Sequence, residues 1–264
     1  MNLEMQGKIA IVPGSARGIG KAIAEKLAAH GATVVVSDIL TKEGRATAAE
    51  LGPAASFLPC DISDRAQVAS LIETTVQRFG RLDVMVNNAG INSGLGAERV
   101  TLDRFQDETW DRIMKVDLNG TFYCCRAAAA QMVKQHSGSI VNISSVAGVV
   151  ALRLQIAFVA AKAAIIKLTE AMACELGPQG IRTNVVSPGS VDVTAEKLST
   201  IPEEQGGYSG RAKSINSFIP QGRLGYPHEI ADAVLFLASE AGSYVNGHNL
   251  VVDGGWTCGF NRDW

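Results

Sequence analysis

The sequence predicts an α/β protein built on a doubly wound, mostly parallel sheet of seven strands with helices on both faces. Three observations carry this. Short apolar runs alternate with stretches of helical periodicity along the chain. The runs are apolar throughout, as strands covered on both faces are, instead of alternating with polar residues. The first run passes through a glycine-rich turn directly into a helix, and right-handed crossovers then wind the sheet both ways from its centre.

Taken in order, "KIAIV" (8–12) reads as a buried strand, and "KAIAEKLAAH" (21–30) as a helix stopped by Gly31. "TVVVSD" (33–38) is the second strand, and "GRATAAEL" (44–51) a helix ended by Gly52-Pro53. "SFLPCD" (56–61) is a strand, "DRAQVASLIETTVQRF" (64–79) a helix stopped by Gly80, and "LDVMVNN" (82–88) the fourth strand. A long helical pattern covers about 106–135. "GSIVNISS" (138–145) is the fifth strand, followed by a helix over about 156–176. "IRTNVVSPG" (181–189) is the sixth strand. A loop-rich stretch, about 190–222, precedes the helix "HEIADAVLFLAS" (228–239) and the last strand, "HNLVVDGG" (248–255).

A chain of 264 residues suits one α/β domain, and no linker, repeat or low-complexity tract divides it. Hydrophobic residues make up 47% and charged residues 19%, enough for a sizeable core. A net charge of −2 without a basic cluster argues against nucleic acid or acidic membranes as partners. The N-terminus lacks a cationic region followed by a long apolar run, so no signal peptide is expected. No apolar stretch is long enough to span a bilayer. Cysteines at 60, 124, 125, 174 and 258 are odd in number and lack close CxxC spacing, which points to reduced thiols in a cytoplasmic protein. Cys124 and Cys125 are adjacent on a helix, point apart, and read as core packing. The scattered histidines have no ligand spacing, so no metal site is expected.

The turn Gly14-Ser15-Ala16-Arg17-Gly18-Ile19-Gly20 is the clearest chemical signal, and Gly14, Ser15, Arg17, Gly18, Ile19 and Gly20 are its cofactor-binding candidates. Gly14 makes the tight turn, Gly18 lets backbone approach a pyrophosphate, and Gly20 lets the helix pack on the strand. The helix N-terminus offers free N–H groups and a positive dipole to the phosphates. Asp38 ends the second strand, where an acidic side chain accepts both ribose hydroxyls and repels a 2′-phosphate. That favours NAD over NADP. A carboxylate capping the next helix is the plainer alternative, and Arg17, which can meet a phosphate, is the counter-signal.

These motifs resemble the short-chain dehydrogenase/reductase family from about Gly7 to Gly255. The family's "NNAG" matches Asn87-Asn88-Ala89-Gly90, and its adenine-contacting Asp-hydrophobic pair matches Asp61-Ile62. Its catalytic serine matches Ser145, its Pro-Gly matches Pro188-Gly189, and its "VDGG" matches residues 252–255. The resemblance implies a Rossmann fold and hydride transfer between a nicotinamide and a small secondary alcohol or ketone. It implies a nicotinamide contact from the Val191 backbone. Thr194 is a further candidate, although the family's threonine falls at Val193. It also implies a substrate lid over about 190–222, in which Tyr208 and Phe218 either close over a substrate or anchor the lid, and a homotetramer, with a dimer as the alternative, built through the helices around 106–135 and 156–176.

Three positions depart from the family pattern. Its Tyr-x-x-x-Lys reads Phe158 and Lys162 here, four residues apart on one helix face. Its proton-relaying asparagine falls at Asp117, and Asn119 points elsewhere on a helix. Its threonine before the first glycine is Pro13, which has no N–H and a fixed φ. In the family the tyrosine hydroxyl exchanges the substrate's proton, the lysine lowers its pKa and holds the nicotinamide ribose, and the serine orients the substrate oxygen. Phe158 keeps the ring and removes the acid, whose worth is about 10²–10⁴-fold in rate. The chain is then a disabled dehydrogenase, a natural NAD-binding protein that has lost chemistry, or an enzyme with another proton donor. Leu152, Leu154, Gln155 and Trp256 flank the expected pocket and suggest a fairly apolar ketone or cyclic alcohol, with sugar alcohols still open.

Overall fold

Among the described residues seven strands lie in one sheet, every neighbouring pair parallel; numbered along the chain, they are arranged 3-2-1-4-5-6-7. The structure is a computed structural model that describes residues 2–91, 99–193 and 216–259. The strands are β1 (Ile9–Pro13), β2 (Thr33–Asp38), β3 (Ala55–Pro59), β4 (Val84–Asn87), β5 (Gly138–Ile143), β6 (Ile181–Pro188) and β7 (Asn249–Val252). Between them run α1 (Gly18–Ala29), α2 (Thr41–Glu50), α3 (Arg65–Phe79), α4 (Asp107–Ile113), α5 (Thr121–Gln135), α6 (Ile156–Leu176) and α7 (Pro227–Ala238). Every expected strand is present, with ends shifted by a few residues, and so is every expected helix except the long one over 106–135.

The strands sort their side chains by the two-residue period of a pleat. Val12, Val34, Val36, Val84 and Val86 face one side and pack on Ile23 and Leu27 of α1 and on Ile230, Val234 and Leu235 of α7. Ile11, Val35, Met85 and Ile140 face the other and pack on Leu71 and Ile72 of α3 and on Cys124, Cys125 and Met132 of α5. Strands apolar on both faces are therefore what two helical layers require.

The long pattern over 106–135 is not one regular helix. Met114–Gly120, between α4 and α5, is π-helical. The wider turn buries Asp117 completely while Asn119 stays exposed. π segments cost hydrogen-bond geometry and often mark functional sites.

Pro13 is accommodated at the last residue of β1. The Gly14 N–H donates to the Ser37 carbonyl of β2, so residue 13 faces β4. The paired register with β4 ends at Ile11 and Met85, so no ladder bond is lost.

A buried polar network crosses the sheet beneath its C-terminal edge. Asn87 Nδ2 donates to Asn142 Oδ1 (2.7 Å), Asn142 Nδ2 donates to Thr169 Oγ1 (2.8 Å), and Thr183 Oγ1 donates to the Thr169 carbonyl (3.0 Å). The Cys125 thiol donates to Asn142 Oδ1 (3.3 Å). This joins β4, β5, β6, α5 and α6 through groups that burial would otherwise leave costly.

Candidate active site

In a parallel sheet the strand C-termini share one edge, and the connections leave in opposite directions from β1 and β4. A crevice opens at such a switch point. The end of β1 supplies the glycine turn. Gly14 has φ +74°, and a Cβ there would lie 2.7 Å from the Ala89 Cα. A Cβ on Gly20 would lie 2.1 Å from the Gly14 carbonyl oxygen. Both positions demand glycine. Gly18 is left-handed (φ +60°) and opens α1, whose first N–H groups have no partners within the helix. Asn88 Nδ2 donates to the Gly14 carbonyl at 2.8 Å, locking the segment after β4 to this turn.

Asp38 is held by the turn it was expected to serve. Its Oδ2 accepts from the Ala16 N–H (3.0 Å) and its Oδ1 from the Leu40 N–H (3.0 Å). These bonds fix the carboxylate against the backbone of the turn at Ala16. Ser15 departs from expectation. It is fully buried, its hydroxyl donating to the Val12 carbonyl and accepting from the Ser37 N–H, so its side chain ties β1 to β2 and is closed to a ligand. Ile62 is likewise buried, against Gly120, and its side chain belongs to the core. Asp61 remains part-exposed, its Oδ1 accepting from the Ser63 N–H.

On the other side of the crevice, Ser145 follows β5 with its side chain part-exposed, and its Oγ accepts from the Ala147 N–H (3.1 Å). Gly148 lets α6 come close, because a Cβ there would lie 2.7 Å from the Lys162 carbonyl. Ser144 Oγ donates to that same carbonyl at 2.8 Å, fixing α6 against the end of β5. Leu154, a non-glycine residue at φ +63°, stands at the entry to α6.

Lys162 is buried, and its ammonium has three neighbours. It donates to the Ile143 carbonyl (3.3 Å), faces Asp117 Oδ2 (3.4 Å), and lies 5.5 Å from the Phe158 ring centroid. Asp117 Oδ1 accepts from the Ile91 N–H at 2.7 Å. Gly90 fits over the pair: a Cβ there would lie 3.3 Å from the ammonium and 3.4 Å from both carboxylate oxygens. Burial pushes the Asp117 carboxyl above its ordinary value, opposed by Lys162, the Ile91 N–H and Arg112. Sequence spacing linked Lys162 to Phe158 but carried no sign of the Asp117 ion pair.

At the end of β6, Gly189 packs on Asp253, and its N–H donates to the Val252 carbonyl (2.9 Å). Val191 bridges to Gly225, and Val193 comes within 3.6 Å of a Cβ built on Gly18. The segment after β6 therefore reaches across to the glycine turn, a contact that no motif announced. Thr194, Tyr208 and most of the expected lid lie outside the described residues. The buried thiols are poor nucleophiles. Cys60 is pushed up to about 12 by burial and then by the charges of Asp61 and Asp64, and Cys125 to about 12 by burial. Among the described residues, no group of His, Cys, Asp or Glu is arranged to hold a metal ion, and no helix is long and apolar enough to cross a membrane.

The family model described as Enoyl-(Acyl carrier protein) reductase matches residues 14–257. A trans-4-hydroxycyclohexanecarboxylate dehydrogenase of Sinomonas cyclohexanicum is 40% identical over 263 residues, 96% of this chain and 94% of that protein. A D-threitol dehydrogenase of Mycolicibacterium smegmatis is 36% identical over 260 residues, 97% of this chain and 95% of that protein. Among solved structures, a gluconate 5-dehydrogenase from Burkholderia cenocepacia J2315, in complex with NADP and tartrate, superposes with a TM-score of 0.87 at 32% identity. That match covers 97% of this chain and 98% of the other.

Proposed function

The chain belongs to the short-chain dehydrogenase/reductase family, and from that membership we propose that it is an NAD(H)-dependent oxidoreductase of secondary alcohols and ketones whose turnover is held down by Phe158. The nicotinamide nucleotide, when bound, supplies or accepts the hydride. The glycine turn fits such a group: Gly14 and Gly20 admit no side chain, and the start of α1 offers N–H groups and dipole to a pyrophosphate. Asp38, already oriented by the Ala16 and Leu40 N–H groups, takes the adenine ribose hydroxyls and disfavours a 2′-phosphate. Asp61 and the Ile62 backbone flank the adenine. Asn88, Ala89 and Gly90 lie along the path to the nicotinamide, whose ribose falls to Lys162 and whose carboxamide falls to Pro188, Gly189 and Val191, with Thr194 beyond.

Ser145 orients the substrate oxygen. Phe158 presents a ring where an acid is required, so hydride positioning is kept and proton transfer is not. The observation that carries this reading is the Lys162 ammonium, buried and seated beside the Phe158 ring, with Ser145 retained after β5. Relatives that act on D-threitol and on a hydroxycyclohexane carboxylate make a small polyol or cyclic alcohol the substrate class of choice. The protein works as a cytoplasmic homotetramer on this reading. The Asp117–Lys162 ion pair favours a second reading, a non-catalytic NAD-binding protein, because it engages the ammonium elsewhere.

Phe158→Tyr separates the two. The dehydrogenase reading expects alcohol oxidation to rise, by up to about 10²–10⁴-fold, with little change in NAD affinity. Normal NAD binding without turnover on a broad panel of secondary alcohols would leave the binding-protein reading.

A further inference from the structure

We propose that Asp117 is the counter-ion of Lys162 and takes the electrostatic place of the missing acid, so that residues 117 and 158 act as one coupled pair. This rests on reading Phe158 and Lys162 as the acid–base position of the site. A buried ammonium needs compensation. The Ile143 carbonyl is neutral, and the Phe158 ring offers only its quadrupole. Among the described residues the Asp117 carboxylate, 3.4 Å away, is the partner that cancels a full charge.

The surroundings are shaped for this pairing. The π-helical turn over Met114–Gly120 carries Asp117 into the interior. The Ile91 N–H holds Oδ1, which turns Oδ2 towards the ammonium. Gly90 leaves the space the pair occupies. Lys162 and the more remote Arg112 are the cationic groups that act on this carboxylate. Asp117 is thus a positioning residue that works through Lys162.

The consequence concerns any acid placed at 158. An ammonium close to a phenol lowers its pKa by about 1–3 units. A carboxylate beside that ammonium cancels the effect and adds its own repulsion of a phenolate. Restoring the hydroxyl alone therefore gives a weak acid, and its full strength requires a neutral residue at 117.

The test is a near-ultraviolet phenolate titration of Phe158→Tyr and of Phe158→Tyr/Asp117→Asn. Matched Phe158 proteins are subtracted to remove the other tyrosines. The phenol midpoint is expected to fall by about 1–3 units in the double variant, and the pH profile of kcat to move with it. Where the amide prevents folding, Asp117→Ser replaces it in the same comparison. Equal midpoints, or a higher midpoint in the double variant, would overturn the coupling. A shifted midpoint without turnover on any alcohol would sink the dehydrogenase reading and leave the counter-ion in place. Turnover with equal midpoints would do the reverse.

Discussion

Lys162→Met removes one charge of the buried pair and keeps the volume of the side chain. The Lys162 side chain is 7% exposed and that of Asp117 is 0% exposed, so screening by solvent and salt is slight. Breaking such a pair from one side costs about 3–5 kcal/mol, because the remaining charge is left uncompensated. At roughly 2–4 °C per kcal/mol for a chain of this size, the melting temperature should fall by on the order of 6–20 °C at neutral pH. The loss should depend on pH with a definite sign. Burial already holds the Asp117 carboxyl above its ordinary value, and Lys162 is the largest influence opposing that rise. Without Lys162 the carboxyl rises further. A group whose folded pKa exceeds its unfolded value contributes stability that is full below the unfolded value and is lost as pH rises through the folded one. The deficit of Lys162→Met should therefore shrink in acid and grow towards neutrality. Lys162→Met/Asp117→Asn, with both charges gone, should recover most of it. Thermal unfolding followed by circular dichroism from acid to neutral pH reads all three proteins. A deficit that is constant with pH, or that the double variant keeps, would mean that only packing was lost and that the ion pair contributes nothing.

Two further predictions follow from the site and its surroundings. Asp38→Asn should move the NADH-to-NADPH affinity ratio towards NADPH by about tenfold, equivalent to about 1.4 kcal/mol of relieved charge repulsion, as read by calorimetric titration with both nucleotides. An unchanged ratio would assign the discrimination to Arg17. Trp110 of α4 and Phe122 of α5 remain substantially exposed, and with the small residues of α6 they suit an interface between copies of the chain. Sedimentation at micromolar concentration should show a tetramer, and a monomer alone would remove these helices as interfaces.

The fold was legible because its signals are local. An apolar run bounded by glycine or proline specifies a two-sided strand wherever it occurs, and Gly31 and Gly80 mark the ends of α1 and α3 in the sequence. The glycine turn was legible for the same reason, since Gly14 and Gly20 answer close approaches that a Cβ would forbid and Gly18 takes a left-handed φ. What escaped the sequence depends on tertiary partners. "MKVDLNG" has ordinary helical periodicity, and its π-helical form goes with the bond from the Ile91 N–H to Asp117, which no sequence spacing encodes. The place of Ser15 in the motif points it at the cofactor. The hydrogen-bond needs of two neighbouring strands claim its hydroxyl instead. The place of Ile62 in its motif does the same, and the space beside Gly120 draws its side chain inward.

The polar network under the sheet edge bears on how this chain can be altered or recombined. Asn87, Cys125, Asn142, Thr169 and Thr183 come from five separate elements; Asn142 Oδ1 accepts from both Asn87 and Cys125, its amide donates to Thr169, and Thr183 reaches the Thr169 backbone carbonyl. Exchanging Asn142 or Thr169 for an apolar residue strands a polar partner in the interior, whereas a concerted exchange does not. The four positions whose side chains bond one another, Asn87, Cys125, Asn142 and Thr169, therefore form one heritable block, scattered in sequence and contiguous in space. A chimera with a relative should be most stable when these four descend from the same parent. Crossover points between Asn87 and Thr169 are then constrained by inheritance at distant residues as well as by the sequence at the junction.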